Sequence, residues 1–203
     1  MAEPASGPRV AEVQRETKET QVRLRLSLDG DGTFRGSTGV GFMDHMLELF
    51  CAHAWVDLEI EMSGDLQVDA HHSLEDLGIC LGQALRKAWG DKRGLARYGW
   101  CLLPMDEALI LLALDLSSRP YLSFEVSLGA GRIGDLDAEL IEEFLRALTN
   151  QGGITLHVRQ LAGKNSHHIA EAIFKGLGRC LRQAVALEVG PGADRIPSTK
   201  GVL

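Results

Sequence analysis

Two stretches of this chain carry the same uncommon combination: His71 and His72 followed by Glu75, and His167 and His168 followed by Glu171. On a helix, residues four apart share a face, whereas the next residue is turned about 100° away. His71 and Glu75 can therefore hold one metal ion while His72 points to a different neighbour, and the same holds for His167, Glu171 and His168. One helix cannot wrap both histidines of a doublet round a single ion, so the pattern suits a two-metal or bridged site. Imidazole and carboxylate donors favour a borderline divalent ion such as manganese, iron or zinc, and the lack of a cysteine ligand argues against a structural zinc site. Further donors must come from elsewhere, and His45 in FMDHMLEL is the best-placed candidate. Isolated histidines such as His53 and His157 read as ordinary polar residues.

The doublets belong to a larger repeat. Sliding the sequence by 96 positions lays residues 71–88 on 167–184, with eight identities in eighteen positions, among them both histidines, the glutamate, Leu81 and Gly82. Upstream the agreement is looser: 20–32 resembles 107–120, and 43–50 resembles 141–148. The chain therefore divides into a short lead-in over 1–8 expected to be disordered, two like repeats over 9–90 and 93–190, and a tail over 191–203. In the first repeat, alternation predicts a strand over 22–30, helical spacing a helix over 39–54, then a strand over 55–65 and the doublet helix from 71 to about 89. In the second, 108–117 and 121–129 read as a hairpin, 136–153 as a helix, 153–163 as a strand and 165–187 as the last helix. The expected fold is α+β: two tandem repeats, each a mostly antiparallel sheet with two helices on one face.

Composition narrows the partners. The chain has 203 residues, 45% apolar and 24% charged, long enough for a substantial core. A net charge of −7 disfavours nucleic acid or an anionic membrane as the main partner. No apolar run approaches spanning length, the N-terminus lacks the apolar core of a signal peptide, and four cysteines without a C-x-x-C pair read as reduced thiols of a cytoplasmic protein. A local site for a small anion is nevertheless suggested by Arg97, Arg119, Lys175 and the tail residues Ser198, Thr199 and Lys200, since hydroxyl, ammonium and backbone N–H groups together suit a phosphate.

The chain resembles the imidazoleglycerol-phosphate dehydratase family from about residue 9 to 203. The motifs that carry the resemblance are RETKET (15–20), GFMDHML (41–47), DAHHSLED (69–76), the Arg97 region, SSRPY (117–121), LHVRQLAGKNSHHIAEAIFK (156–175) and PSTKG (197–201). It implies a duplicated ribosomal protein S5 domain 2-like α+β fold, trimers assembled into a 24-mer, and two manganese ions per active site formed between subunits. It implies metal ligation by His45, His71, His72, Glu75, His167, His168 and Glu171. Arg97, Arg119, Lys175, Ser198, Thr199 and Lys200 would bind the substrate, chiefly its phosphate, and Glu19 would be the acid/base carboxylate. Many members have histidine where this chain has Glu143, the mirror of His45. Glutamate ligates manganese too, so Glu143 stands either as a ligand or as a position given up to water or a neighbouring group.

The implied reaction removes water from D-erythro-imidazole glycerol phosphate to give imidazole acetol phosphate, a step of L-histidine biosynthesis. The proton lost is not acidic, being alpha to no carbonyl, so the electron-rich ring must first help expel the hydroxyl. Two other classes fit parts of the pattern. A dinuclear metallohydrolase would release inorganic phosphate, and an assembly protein would use metal only to join subunits. RETKET and PSTKG favour the dehydratase, because neither alternative calls for them.

Overall fold

The computed structural model describes residues 8–201, so all but one residue of the lead-in expected over 1–8 lies outside the described residues. Strands β1 (Val10–Glu16), β2 (Thr20–Ser27), β3 (Phe34–Ser37) and β4 (Asp57–Gly64) form the first sheet, with helices α1 (Gly41–Ala54) and α2 (His71–Trp89). The second repeat supplies β5 (Tyr98–Met105), β6 (Ala108–Asp115), β7 (Tyr121–Glu125) and β10 (Thr155–Ala162), with α3 (Leu140–Gly152) and α4 (Ser166–Ala184). A two-stranded ribbon, β8 (Arg132–Ile133) and β9 (Leu136–Asp137), leads into α3. The sheet orders β1-β2-β4-β3 and β5-β6-β10-β7 are the same topology twice, so the fold is the duplicated α+β arrangement. In each sheet two pairings are antiparallel and the last, β3 with β4 or β7 with β10, is parallel.

One expectation is overturned. Segments 108–117 and 121–129 do not form a hairpin: β6 pairs with β5 across the turn at Asp106 and Glu107, and β7 crosses over to run parallel to β10. The turn-rich SSRP stretch between them is a crossover. Strands β1, β3 and β5 also lie where the alternation gave no signal; β5 contains Gly99 and Pro104, residues that usually weaken a strand.

Periodicity explains the layers. In β2, Thr20, Val22, Leu24 and Leu26 are buried and the residues between them are exposed, so one face is apolar. Ala108, Ile110, Leu112 and Leu114 do the same in β6. Helix α2 covers β1 and β2, and α4 covers β5 and β6. The two helical layers then pack across repeats: α1 of the first repeat lies against α4 of the second, and α2 against α3. Glycines permit this closeness. A Cβ at Gly82 would stand 2.9 Å from the Gly152 nitrogen, and one at Gly178 3.0 Å from the Ala54 nitrogen. These two glycines are equivalent positions of the repeat, which is why both survive in it.

The helix starts are fixed by side chains. The Asp69 carboxylate accepts from His71 N at 2.8 Å, and the equivalent Asn165 accepts from His167 N at 2.9 Å. Each doublet thus stands at the first turn of its helix, beyond the apolar core. Helix α1 is capped from the other repeat, where the Asp135 carboxylate accepts from Gly41 N at 2.6 Å and Phe42 N at 2.9 Å.

Candidate active site

Because α1 packs on α4, His45 meets the second doublet. His45 Nε2 lies 3.0 Å from Glu171 Oε1, and His167 Nε2 lies 3.2 Å from the same oxygen. The donor atoms of these three residues all lie within 4.8 Å of one another, and this is the group of three such donors found among the described residues. The second carboxylate oxygen accepts from Lys175 Nζ at 2.6 Å. Glu171 is only 7% exposed. Burial alone would push its carboxyl up, but the Lys175 ammonium and the two imidazoles outweigh it and hold the group down at about 2. The carboxylate is therefore ionised and flanked by two imidazoles, with an ammonium on its far oxygen.

The other histidine of each doublet faces a different carboxylate, as the 100° turn requires. His168 Nδ1 lies 2.7 Å from Glu107 Oε2, and His72 Nδ1 lies 3.0 Å from Asp65 Oδ2. Both imidazoles titrate above their ordinary value, chiefly because of these hydrogen bonds. Glu107 is held at about 2, first by His168 and then by the backbone N–H groups of Asn165 and Lys164. Each carboxylate engages Nδ1, the arrangement that orients a metal-ligating histidine, and on the other side of the His168 ring Nε2 lies 3.6 Å from Asp106 Oδ2. Sequence reading missed Asp65 and Glu107. Their signal was weak: acidic residues at a strand end and in a hairpin turn.

In the first repeat, Glu19 is exposed in the β1–β2 turn, and its charge contributes to the raised titration of His72. His71 and Glu75 are exposed on the first turns of α2, and Glu143 is half-buried on α3. These three do not come together into a second three-donor group within one chain, among the described residues.

The expected anion residues gather at the opposite end of β6. Arg97 grips Asp115 with Nε at 2.7 Å and Nη2 at 3.1 Å, and its Nη1 donates to Pro197 O at 2.7 Å. Arg119 Nη2 lies 3.9 Å from Asp115 Oδ2, and the Arg119 side chain is largely exposed. In the tail, Lys200 N donates to Ser198 Oγ at 3.2 Å, while Thr199 and Lys200 are exposed. Seven residue steps of β6 separate Ala108, next to Glu107, from Asp115, about 24 Å at an antiparallel rise. Lys175 lies with the donor group and not with the arginines.

The frame and its polar groups define a class: a duplicated α+β enzyme whose histidine–carboxylate chemistry stands at helix starts. The imidazoleglycerol-phosphate dehydratase family model matches residues 38–181. The imidazoleglycerol-phosphate dehydratase of Moorella thermoacetica is 58% identical over 96% of this chain and 98% of its own length, and that of Jannaschia sp. is 55% identical over 96% and 100%. Among solved structures, the Staphylococcus aureus enzyme superposes with a TM-score of 0.80 at 41% identity, covering 88% of this chain and 99% of that one. The enzyme from Pyrococcus furiosus gives 0.79 at 38%, covering 94% and 100%. The chain belongs to the imidazoleglycerol-phosphate dehydratase family and is a hydro-lyase.

Proposed function

We propose that this enzyme dehydrates D-erythro-imidazole glycerol phosphate to imidazole acetol phosphate with two manganese ions per active site, as a cytoplasmic step of L-histidine biosynthesis. The observation that carries the reading is the convergence of His45, His167 and Glu171 on one point. The donor chemistry fits the metal: two imidazole nitrogens and an ionised carboxylate suit a borderline divalent ion better than an apolar interior does. His45, His167, Glu171 and His168 would hold manganese from one side, and His71, His72 and Glu75 from the other, with Glu143 as a further donor. When bound, the ions would supply Lewis-acid chemistry to the imidazole ring of the substrate.

The chain's own residues do the rest. Glu107 and Asp65 hold Nδ1 of His168 and His72 and so fix the rings, with Nε2 of each as the atom that would ligate. Lys175 neutralises the outer oxygen of Glu171 and stands ready for the substrate. Arg97, Arg119, Ser198, Thr199 and Lys200 bind the phosphate. Glu19, exposed on a turn beside His72, removes the carbon-bound proton next to the departing hydroxyl. A placed general base contributes about 10²–10⁴-fold. Since about 24 Å of β6 separates the donor group from the arginines, a small substrate cannot span both within one chain. That distance supports sites shared between subunits, in trimers and a 24-mer. Exposed Trp100, Leu102 and Leu111 on the outer face of the second sheet support the self-association.

The test is incubation of manganese-loaded protein with imidazole glycerol phosphate. Imidazole acetol phosphate is expected, without release of inorganic phosphate. Absence of that product at full metal content would sink the proposal.

A further inference from the structure

The segment joining the two repeats carries more than a connection. Five non-glycine residues of the chain adopt left-handed backbone among those described, and three of them, Lys92 (φ 64°), Arg97 (φ 73°) and Ser118 (φ 59°), meet around Asp115. Such strain concentrates at binding and catalytic sites, where surrounding contacts must hold it. Here the contacts are visible on both sides of the segment. Toward the tail, Gly94 N donates to Arg195 O at 2.9 Å, Arg93 Nη1 to Asp194 O at 2.8 Å, and Arg97 Nη1 to Pro197 O at 2.7 Å. Toward the β6–β7 loop, Lys92 Nζ donates to Ser118 Oγ at 2.5 Å. Both arms of the anion cluster thus hang on residues 92–97.

Lys92 is the anomaly in this group. It is 4% exposed, although a lysine is almost never fully buried unless paired, and its hydrogen-bond partner is a neutral hydroxyl. Its charged neighbours are Arg86 on α2, Arg97, Arg119 and one carboxylate, Asp115, already gripped by Arg97. Four cations around one carboxylate leave an uncompensated positive field directly under Ser118 and the Arg119 backbone. We propose that Lys92 is a buried cation of the anion site, which holds Ser118 and hence the Arg119 loop in place and adds its charge beneath the bound phosphate. This inference rests on the reading that Arg97, Arg119 and the tail bind phosphate. Burial first, then the Arg86 charge, lowers the ammonium to about 8, so it stands close to losing its proton until an anion arrives.

The sign of the pH effect follows. An incoming dianion favours the protonated lysine, so binding above pH 8 must recapture a proton and weakens. The guanidinium groups of Arg86, Arg97 and Arg119 keep their charge throughout that range. The experiment uses the full-length enzyme and inorganic phosphate as the probe, with Kd measured from pH 7 to pH 9 for wild type and Lys92→Met. Methionine keeps the side-chain length and the same left-handed backbone, so strain largely cancels.

At pH 7 the variant is expected to bind phosphate about tenfold more weakly, the scale for losing one charged contact. The ratio of the two Kd values should shrink toward one by pH 9, a comparison from which phosphate's own ionisation drops out. With substrate, KM should rise by more than kcat falls. Equal phosphate affinity at pH 7, or a ratio that does not change with pH, would overturn the inference. Should Lys92→Met not fold, Ser118→Ala replaces it: the ammonium stays, so a modest loss of affinity with the wild-type pH slope is expected, and no loss overturns the positional part. Arg119→Ala separates the two layers of reasoning. If it leaves phosphate affinity untouched, the anion reading itself fails; if it weakens binding while Lys92→Met does not, only the role of Lys92 fails.

Discussion

Gly99→Ala is the sharpest structural test of how this fold holds its site. Gly99 lies in β5, where the backbone of α4 passes over it. An added Cβ would stand 2.9 Å from Cys180 Cα and 2.7 Å from its carbonyl carbon, with the carbonyl oxygen closer still. Carbon pairs rest at about 3.5–4.0 Å, so even the carbons must retreat by more than half an ångström. The obstacle is helix backbone, not the end of a flexible side chain, so α4 has to move as a body. Overpacking typically costs about 1–3 kcal/mol, and here the upper end applies, because a strand interior offers no offsetting gain in helix propensity. About 3 kcal/mol in a chain of this size corresponds to roughly 6–12 °C in Tm. Thermal unfolding of wild type and variant should be compared at one protein concentration, since assembly contributes to the apparent stability. A drop of less than about 2 °C would show that α4 is not seated on β5 as described.

Glu171→Gln should abolish tight manganese binding in titration calorimetry, because His45 and His167 lose the carboxylate on which they converge. Glu19→Gln should lower turnover about 10²–10⁴-fold with metal content unchanged; near-full turnover would refute its role as base. Asp115→Asn should free Arg97 and loosen the tail at Pro197, costing about 2–3 kcal/mol as a mostly buried pair is broken, and limited proteolysis should then cut within 190–201. Asp135→Ala should cost about 1 kcal/mol by uncapping α1. Desolvation pushes the Asp135 carboxyl up, but the Phe42 and Gly41 N–H groups outweigh it, so its folded value lies below the usual 3.8. Its contribution is therefore present above that unfolded value and is lost as pH falls through the folded one, and acid titration of the variant should show a shallower decline there.

The duplication and the α+β class could be read from the sequence because the repeat kept residues that serve the same backbone contacts. Gly82 and Gly178 permit helix crossings, and Asp69 and Asn165 cap the doublet helices. Helix spacing likewise put Glu171 beside His167. The sequence offered His45 as a further donor but not which doublet it joins, since this depends on α1 crossing onto the other repeat's α4. The false hairpin had a plain cause. SSRP carries the residues of a tight turn, and nothing local distinguishes a turn from a crossover when both flanking segments are strands. Strand β5 was hidden by Gly99 and Pro104, the former required by the close approach of Cys180. Lys92 gave no sign at all, because a lysine in DKRG reads as solvated until its burial is seen.

The exchange of helix partners between repeats has a consequence for the history of the molecule. In a chain made of one repeat alone, α1 would find its partner only in the α4-like helix of another copy, and the donor group would form across that interface, in two copies related by a two-fold axis. Every substitution would then appear twice, once in each symmetric copy of the group. Two repeats in one chain are free of that constraint. The position held by His45 in one half could become Glu143 in the other, and the Asp69 cap could become Asn165, without either change being imposed on its twin. Covalent linkage thus makes the donor residues of the two halves separately adjustable while leaving the frame that positions them symmetric.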